Sequence, residues 1–307
     1  MRKPRALAPG DRLAVVSPAS WCPRDVFDRG IEEVRRLGFV PVYDDSVFAR
    51  ARFTSGSPEL RAGAIARAWR DPSIAGVIGV RGGYGSAQVL LLLDLAEARL
   101  VTKPFIGYSD LTAVLTFLTL GCGLIAFHGP TLDGRLARGA DGYDRDSLLH
   151  AVSRREPMGE LTGPGVEIVR AGEASGLIHG GNLRLLAASL GTPFAFAPPP
   201  GYILFFEDIG ERPYRLDRML TQLRQAGVLS KAAAVVVGEL TNCDEPSGEV
   251  TARDVITDQF ADFPGPVLMG FPSGHTAGPS LTLPLGVRTR VVARARPAVV
   301  IEEAAVE

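Results

Sequence analysis

The chain has 307 residues, of which 46% are hydrophobic, and a formal net charge of −1. This length and apolar content suit two compact domains, or one large one, with an ample core. Charges of both signs are dispersed along the chain, which indicates no binding surface for nucleic acid or anionic lipid. No apolar window approaches a membrane span, and the run from Leu13 to Val16 is too short for a signal peptide.

The cysteines point to the same class of protein. Cys22, Cys122 and Cys243 are odd in number, far apart and outside any C-x-x-C motif. They predict neither a disulfide framework nor a zinc site. We therefore expect a soluble, cytoplasmic protein.

Strand and helix signals alternate in the first part of the chain. Short apolar runs typical of buried strands are separated by segments with helical periodicity. The predicted strands are residues 13–16, 40–43, 74–80, 105–107 and 124–127. The pattern predicts an α/β fold in which residues 1–132 form a parallel, helix-flanked, Rossmann-like sheet domain. Ligand chemistry in such sheets lies at the carboxyl ends of the strands.

The rhythm is lost in residues 133–170, which are rich in glycine and proline and are predicted to form a linker. Residues 171–307 then predict a smaller, mixed α/β C-terminal domain. Its strand signals include Tyr202 to Phe206, and an amphipathic helix is predicted from Pro213 to Ala226.

One predicted turn has the pattern of a catalytic serine. The apolar pair Phe105-Ile106 ends in Gly107-Tyr108-Ser109-Asp110, and a periodic apolar run follows. A serine at a sharp strand-to-helix turn is typical of a nucleophile elbow, where the first helical N–H groups stabilise an oxyanion. An ordinary helix cap is the alternative, because serine and aspartate are the commonest capping residues. Leu111 also stands where the usual G-x-S-x-G pattern has glycine.

A glycine-rich loop, Arg81-Gly82-Gly83-Tyr84-Gly85, lies between a predicted strand and helix. Its glycines allow several N–H groups to point at one centre. It could hold a phosphate, form an oxyanion loop beside Ser109, or be a tight turn needed for packing. The spacing matches neither G-x-G-x-x-G nor a P-loop, which disfavours the phosphate interpretation.

A serine nucleophile needs a base, and four histidines are available. His275 lies in a loop without core periodicity, which favours a functional role. His128 and His179 lie at strand ends beside glycine and are either pocket or core residues, whereas His150 is expected at the surface of the linker.

The carboxylate that orients the base is predicted at Glu207. Glu207 and Asp208 end an apolar strand, where two adjacent acids need partners or solvent. A salt bridge with Arg212 or Arg215 is the alternative. Ser109, Glu207 and His275 would follow the chain order of α/β-hydrolases.

Several short motifs together resemble one family, the cytoplasmic L,D-carboxypeptidases that act on muramoyl tetrapeptides and that also include microcin C self-immunity proteins. The resemblance runs nearly end to end, and each motif is short but their order is specific. The motifs are Arg81-Gly82-Gly83-Tyr84-Gly85, Gly107-Tyr108-Ser109-Asp110, His128-Gly129-Pro130, Gly181-Asn182-Leu183, Glu207-Asp208, Pro213-Tyr214-Arg215 and Gly274-His275.

The resemblance implies Ser109 as nucleophile, His275 as general base and Glu207 as its orienting partner. It implies an oxyanion hole formed by the Asp110 N–H and one from the glycine loop, placed at Gly83, with the neighbouring Tyr84 N–H as the alternative. Arg81 and Tyr84 are expected to bind substrate, and a structural ion pair is the competing role for Arg81.

The implied reaction releases D-alanine from muropeptide tetrapeptides, with no metal or cofactor, in a homodimer. The nearest rival is an immunity-type hydrolase for aminoacyl-sulfamoyl adenylates. Such proteins stack a nucleobase on a tryptophan of the second domain, whereas Trp21 and Trp69 lie in the first. A phenylalanine or tyrosine could replace it. A rival of another class is a non-catalytic protein that binds a small ligand.

Overall fold

The computed structural model describes residues 1–307 and contains two β-sheets. The strands are β1 (Arg12–Val16), β2 (Val40–Val42), β3 (Gly76–Gly79), β4 (Phe105–Gly107), β5 (Ala126–His128), β6 (Gly159–Leu161), β7 (Glu167–Arg170), β8 (Gly172–Asn182), β9 (Tyr202–Ile209), β10 (Ala232–Thr241), β11 (Val267–Phe271), β12 (Leu283–Leu285), β13 (Arg288–Ala293) and β14 (Ala298–Ile301). The α-helices are α1 (Arg24–Arg36), α2 (Pro58–Arg70), α3 (Ser86–Val89), α4 (Leu95–Ala98), α5 (Thr112–Thr116), α6 (Arg145–Ser153), α7 (Leu183–Ser189), α8 (Pro213–Gln225) and α9 (Ala252–Gln259).

The first sheet has the order β12-β5-β4-β3-β1-β2. Its five strands from the first part of the chain run parallel, as predicted, and all five predicted strands form. The edge strand β12 pairs antiparallel with β5. Because β12 comes from the far end of the chain, the C-terminal region returns to close this sheet.

The second sheet has the order β6-β14-β13-β8-β9-β10-β11-β7, in which β8 to β11 are parallel and the outer pairs antiparallel. With eight strands, it is not the smaller of the two sheets. It also takes β6 and β7 from residues 133–170, which the sequence predicts as a linker. Both strands are short, and their partners, β14 and β11, lie far along the chain, so no local pattern reveals them.

Strand β9 separates two regions of the core. Ile203 and Phe205 pack with the side chains of the first sheet, whereas Leu204 and Phe206 pack with α7, α8 and α9. Successive side chains of a strand point to opposite faces, so the next residue, Glu207, points towards the first sheet. The alternation of this strand therefore directs a carboxylate into the junction between the two sheets.

The periodic apolar run after Ser109 begins a helix, as the strand-to-helix turn predicts, but the helix is not uniform. It forms a 3-10 turn (Ser109–Leu111), then α5, and ends in a π-helical turn (Phe117–Gly121). Changes of helical type of this kind are frequent at functional sites. No helix in the chain combines the length and the apolar character needed to cross a membrane.

Lys103 fixes the start of β4 to the end of α2. Its ammonium donates to the backbone carbonyls of Ala68, Trp69 and Asp71 at 2.8, 2.8 and 2.6 Å. These are carbonyls at the C-terminus of a helix, which have no partner within the helix.

We expect Lys103→Met to lower the free energy of unfolding by about 1–3 kcal/mol, because it removes charge-assisted hydrogen bonds to partly buried carbonyls. Urea unfolding followed by circular dichroism measures the change. Lys231→Met is the matched control, since Lys231 is exposed, and a change below about 0.5 kcal/mol is expected there. Equal stability of the Lys103 and Lys231 variants would contradict this role.

Candidate active site

The backbone at Ser109 adopts a conformation that is uncommon for a residue with a side chain. Its φ is +63°, in the left-handed region, two residues after the end of β4. Strained conformations of this kind are found at functional sites. A Cβ added at Gly107 or Gly79 would lie 2.6 or 2.1 Å from Leu111 Cδ1. Glycines at the strand ends thus make room for Leu111, the residue that departs from the G-x-S-x-G pattern.

The glycine loop lies directly beside this serine. A Cβ added at Gly82 would lie 2.7 Å from Ser109 Cβ and 3.2 Å from the Asp110 nitrogen. Only glycine permits so close an approach. The Tyr84 N–H donates to Ser20 Oγ at 3.1 Å and is therefore occupied. Of the two predicted oxyanion donors in the loop, the Gly83 N–H remains.

Asp110 and Ser86 fasten the loop to the serine turn. The Ser86 N–H donates to Asp110 Oδ2 at 2.7 Å, and the Ser86 hydroxyl donates to the Asp110 carbonyl. Both residues are buried. The two backbone segments that would supply oxyanion donors are therefore held in a fixed relation.

Glu207 holds His275 by two hydrogen bonds. Its Oε2 accepts from His275 Nδ1 at 2.6 Å and from the His275 N–H at 2.9 Å. Burial of the carboxyl is the largest single influence and raises the pKa of Glu207, but the charge and hydrogen bonds of His275, together with His128, leave that pKa below its ordinary value. Gly274 has φ +97°, and a Cβ there would lie 2.6 Å from the Glu207 carboxyl. Glycine is therefore required for the loop to reach Glu207.

The alternative partners considered for this carboxylate are engaged elsewhere. Arg212 pairs with Glu245 at 3.4 Å, and Arg215 pairs with Glu211 at 3.6 Å. The salt-bridge interpretation of Glu207 is therefore wrong.

Asp208 has a different environment from its neighbour. It accepts from the Asn182 side chain at 3.1 Å and from the Arg184 N–H at 3.0 Å, at the start of α7. Burial, and then the charge of Glu207, raise the pKa of Asp208. The Asn182 amide also lies 3.4 Å from Glu207 Oε1, so it links both acids.

His128 and His179 are buried and lie outside the cavity at Ser109. Burial lowers the pKa of each to about 4, so both are neutral at pH 7. His128 Nδ1 lies 3.1 Å from Ser273 Oγ, and its Nε2 lies 4.0 Å from Glu207 Oε1. The pocket interpretation of these two histidines is not supported, although His128 packs directly behind the Glu207–His275 pair.

A cavity of about 590 Å³ brings the predicted residues together. Its lining includes Arg81, Gly82, Gly83, Tyr84, Ser109, Asp110, Asp208 and His275. Ser109 follows β4 of the first sheet, and His275 lies in the loop that leads from β11 of the second sheet to β12 of the first. Their side chains are not hydrogen-bonded to each other in this conformation, as is common in structures without substrate.

Arg81 and Tyr84 differ in their freedom to bind a ligand. Arg81 Nε lies 3.2 Å from Asp133 Oδ2, so the structural ion pair weighed from the sequence is present. Burial raises the pKa of Asp133 to about 6 even though Arg81 lowers it. The Tyr84 side chain is 54% exposed at the cavity wall and is free to contact a ligand.

Known proteins resemble this chain over most of its length. The LD-carboxypeptidase N-terminal domain matches residues 13–129, and the LD-carboxypeptidase C-terminal domain matches residues 175–291. The chain is 31% identical to the murein tetrapeptide carboxypeptidase of Pseudomonas aeruginosa, over 87% of this chain and 88% of that protein. It is 27% identical to the microcin C7 self-immunity protein MccF of Escherichia coli, over 93% and 91% of the two chains.

The crystal structure of muramoyltetrapeptide carboxypeptidase from Oxalobacter formigenes superposes with a TM-score of 0.83. That protein is 28% identical to this chain, and the match covers 95% of this chain and 99% of the other. The two-sheet fold and the two family domains lead to one conclusion: the chain belongs to the LD-carboxypeptidase family of serine peptidases.

Proposed function

We propose that this enzyme is a serine carboxypeptidase that releases terminal D-alanine from muropeptide tetrapeptides in cytoplasmic peptidoglycan recycling, with Ser109, His275 and Glu207 as its catalytic triad. The observation that carries the proposal is the pairing of Glu207 with His275 at a cavity that Ser109 also lines. A buried carboxylate on Nδ1 leaves Nε2 free to serve as the general base.

In the proposed mechanism, Ser109 Oγ attacks the carbonyl carbon of the residue before D-alanine, and His275 accepts the hydroxyl proton. The Gly83 and Asp110 N–H groups stabilise the oxyanion. The carbon–nitrogen bond then breaks, and His275 returns the proton to the leaving amine of D-alanine. Water, activated by His275, hydrolyses the acyl-enzyme and releases the tripeptide.

The substrate's terminal carboxylate needs a cation or N–H donors. Arg81 lines the cavity, and 40% of its side chain is exposed. Its ion pair with Asp133 partly neutralises the guanidinium charge. We infer that Arg81 is the carboxylate-binding cation and that Tyr84 forms part of the substrate wall. We also propose that the enzyme acts as a homodimer.

The immunity-type activity is the second candidate, because MccF is among the relatives. Stacking of a nucleobase would need an exposed aromatic ring. Trp69 is buried, and the Arg50 guanidinium covers Trp21 at 3.7 Å from its ring. Neither tryptophan lines the cavity, where Tyr84 is the exposed aromatic side chain. The lack of a tryptophan at the cavity favours the muropeptide substrate.

The reaction is tested with L-Ala-γ-D-Glu-meso-diaminopimelate-D-Ala as substrate. We expect the wild-type enzyme to release D-alanine and Ser109→Ala to release none above background, because the acyl-enzyme cannot form. D-alanine is measured by a coupled oxidase assay. Release by the serine variant would disprove the nucleophile. No release by either protein, with hydrolysis of an aspartyl sulfamoyl adenosine, would support the immunity-type activity instead.

The role of Glu207 is tested with Glu207→Gln, an isosteric change that removes the negative charge. We expect kcat to fall about 10³- to 10⁴-fold, because the amide no longer stabilises the imidazolium. Glu245→Gln is the control, since this acid pairs with Arg212 away from the cavity, and its kcat should match wild type. A Glu207→Gln variant that is folded, as judged by circular dichroism, and keeps a tenth of the wild-type kcat would contradict the triad.

A further inference from the structure

Arg135 is a buried arginine whose charge faces the loop that carries His275. Its side chain comes from the segment after β5, on the side of the first sheet, and the residue is 3% exposed. Nη1 donates to Gly142 and Gly278 carbonyls at 3.2 and 3.3 Å. Nη2 donates to the Gly274 carbonyl and, at 3.2 Å, to that of Thr276. Three of these four carbonyls belong to residues 274–278.

None of these hydrogen bonds goes to a carboxylate. Burying a guanidinium is costly unless it is paired or fully hydrogen-bonded. The forked guanidinium donates to four carbonyls through two nitrogens, which a lysine or a glutamine could not do. The hydrogen bonds therefore tie residues 274–278 to the segment after β5.

The aromatic ring of Tyr108 extends the arrangement to the serine turn. The Arg135 guanidinium carbon lies 5.7 Å from the centre of the Tyr108 ring, and that ring lies 4.9 Å from the His275 ring. Tyr108 immediately precedes Ser109. The Arg135 guanidinium therefore contacts both the loop that carries His275 and the turn that carries Ser109.

The other side-chain contacts of this loop come mainly from its own half of the molecule. Glu207 binds His275, Glu239 accepts from the Ala277 N–H at 2.8 Å, and Thr241 donates to the His275 carbonyl. These contacts fix the loop relative to the second sheet but not relative to Ser109. Three contacts cross to the first sheet's side: the Arg135 hydrogen bonds, the Tyr108 ring against that of His275, and His128 Nδ1, which lies 3.1 Å from Ser273 Oγ next to the loop. Of the three, that of Arg135 consists of hydrogen bonds to the backbone of residues 274–278.

We propose that Arg135 is a positioning residue that sets the distance between the His275 imidazole and Ser109 across the junction of the two sheets. The inference rests on the proposed triad and adds to it a residue that touches neither substrate nor reacting atoms. Loss of Arg135 lets the loop shift with Glu207 and His275 still paired. A displacement of about 1 Å costs on the order of 100-fold in rate.

The test uses the reaction of Ser109 with a fluorophosphonate, which needs the triad but no peptide substrate. We compare the wild-type chain, Arg135→Ala and Arg138→Ala, by intact mass, and measure kcat and KM for the tetrapeptide in parallel. Arg138 is the matched control because it is exposed and donates only to the Asp141 carbonyl in its own turn. Guanidinium chloride at low, non-denaturing concentration is then added to each protein.

We expect Arg135→Ala to label about 100-fold more slowly than wild type, with kcat reduced and KM within about threefold. Added guanidinium should increase the labelling rate of Arg135→Ala at least fivefold and leave that of Arg138→Ala unchanged. A purely structural role predicts no such rescue, because added denaturant further weakens a destabilised fold. Wild-type labelling rates in Arg135→Ala, or a folded slow variant without rescue, would overturn the proposal.

A wrong substrate and a wrong triad give different results in this experiment. If wild type labels at Ser109 but does not release D-alanine, the substrate is wrong and the positioning role is still measured by labelling. If wild type neither labels at Ser109 nor hydrolyses the tetrapeptide, both the triad and the role of Arg135 are refuted.

Discussion

The site depends on one buried carboxylate. Glu207 has no exposed surface, yet it stays ionised because His275 supplies two hydrogen-bond donors to a single oxygen. A buried charge without such partners would cost several kcal/mol. The strand that carries it, the glycine that lets the loop approach and the histidine packed behind it all serve this contact. The proposed base catalysis follows because the Glu207–His275 pair presents the imidazole to the cavity that Ser109 also lines.

The proposed triad is divided between two sheets, which makes the junction part of the active site. Ser109 is fixed by the turn after β4 and by Asp110, whereas His275 is fixed by β9 through Glu207. Neither half contains a complete site. Strand pairing and hydrogen bonds join the sheet that carries Ser109 to the loop that carries His275. Strand β12 pairs with the edge of the first sheet, and Arg135 donates hydrogen bonds to the loop. The contacts that place the base near the nucleophile therefore join residues that are far apart in the chain.

The sequence was sufficient where local rules decide the outcome. Alternating apolar runs predicted the parallel strands of the first sheet, and the Gly107-to-Asp110 turn predicted a sharp bend at a serine. It was insufficient where distant partners decide. The short strands β6 and β7 are stabilised by pairing with β14 and β11, and Arg135 lies in a glycine-rich stretch that reads as a linker. No local signal distinguishes a buried arginine that binds distant carbonyls from a solvated one.

The central claim is that hydrolysis proceeds through an acyl group on a serine served by a base from the other sheet. It is tested most directly by trapping that acyl group with hydroxylamine during turnover of the tetrapeptide. The account predicts a tripeptide hydroxamate whose share of product rises with hydroxylamine, and an acid-quenched adduct on the Ser109 peptide. D-alanine release with the free tripeptide acid as sole product at every hydroxylamine concentration, and no adduct, would contradict it.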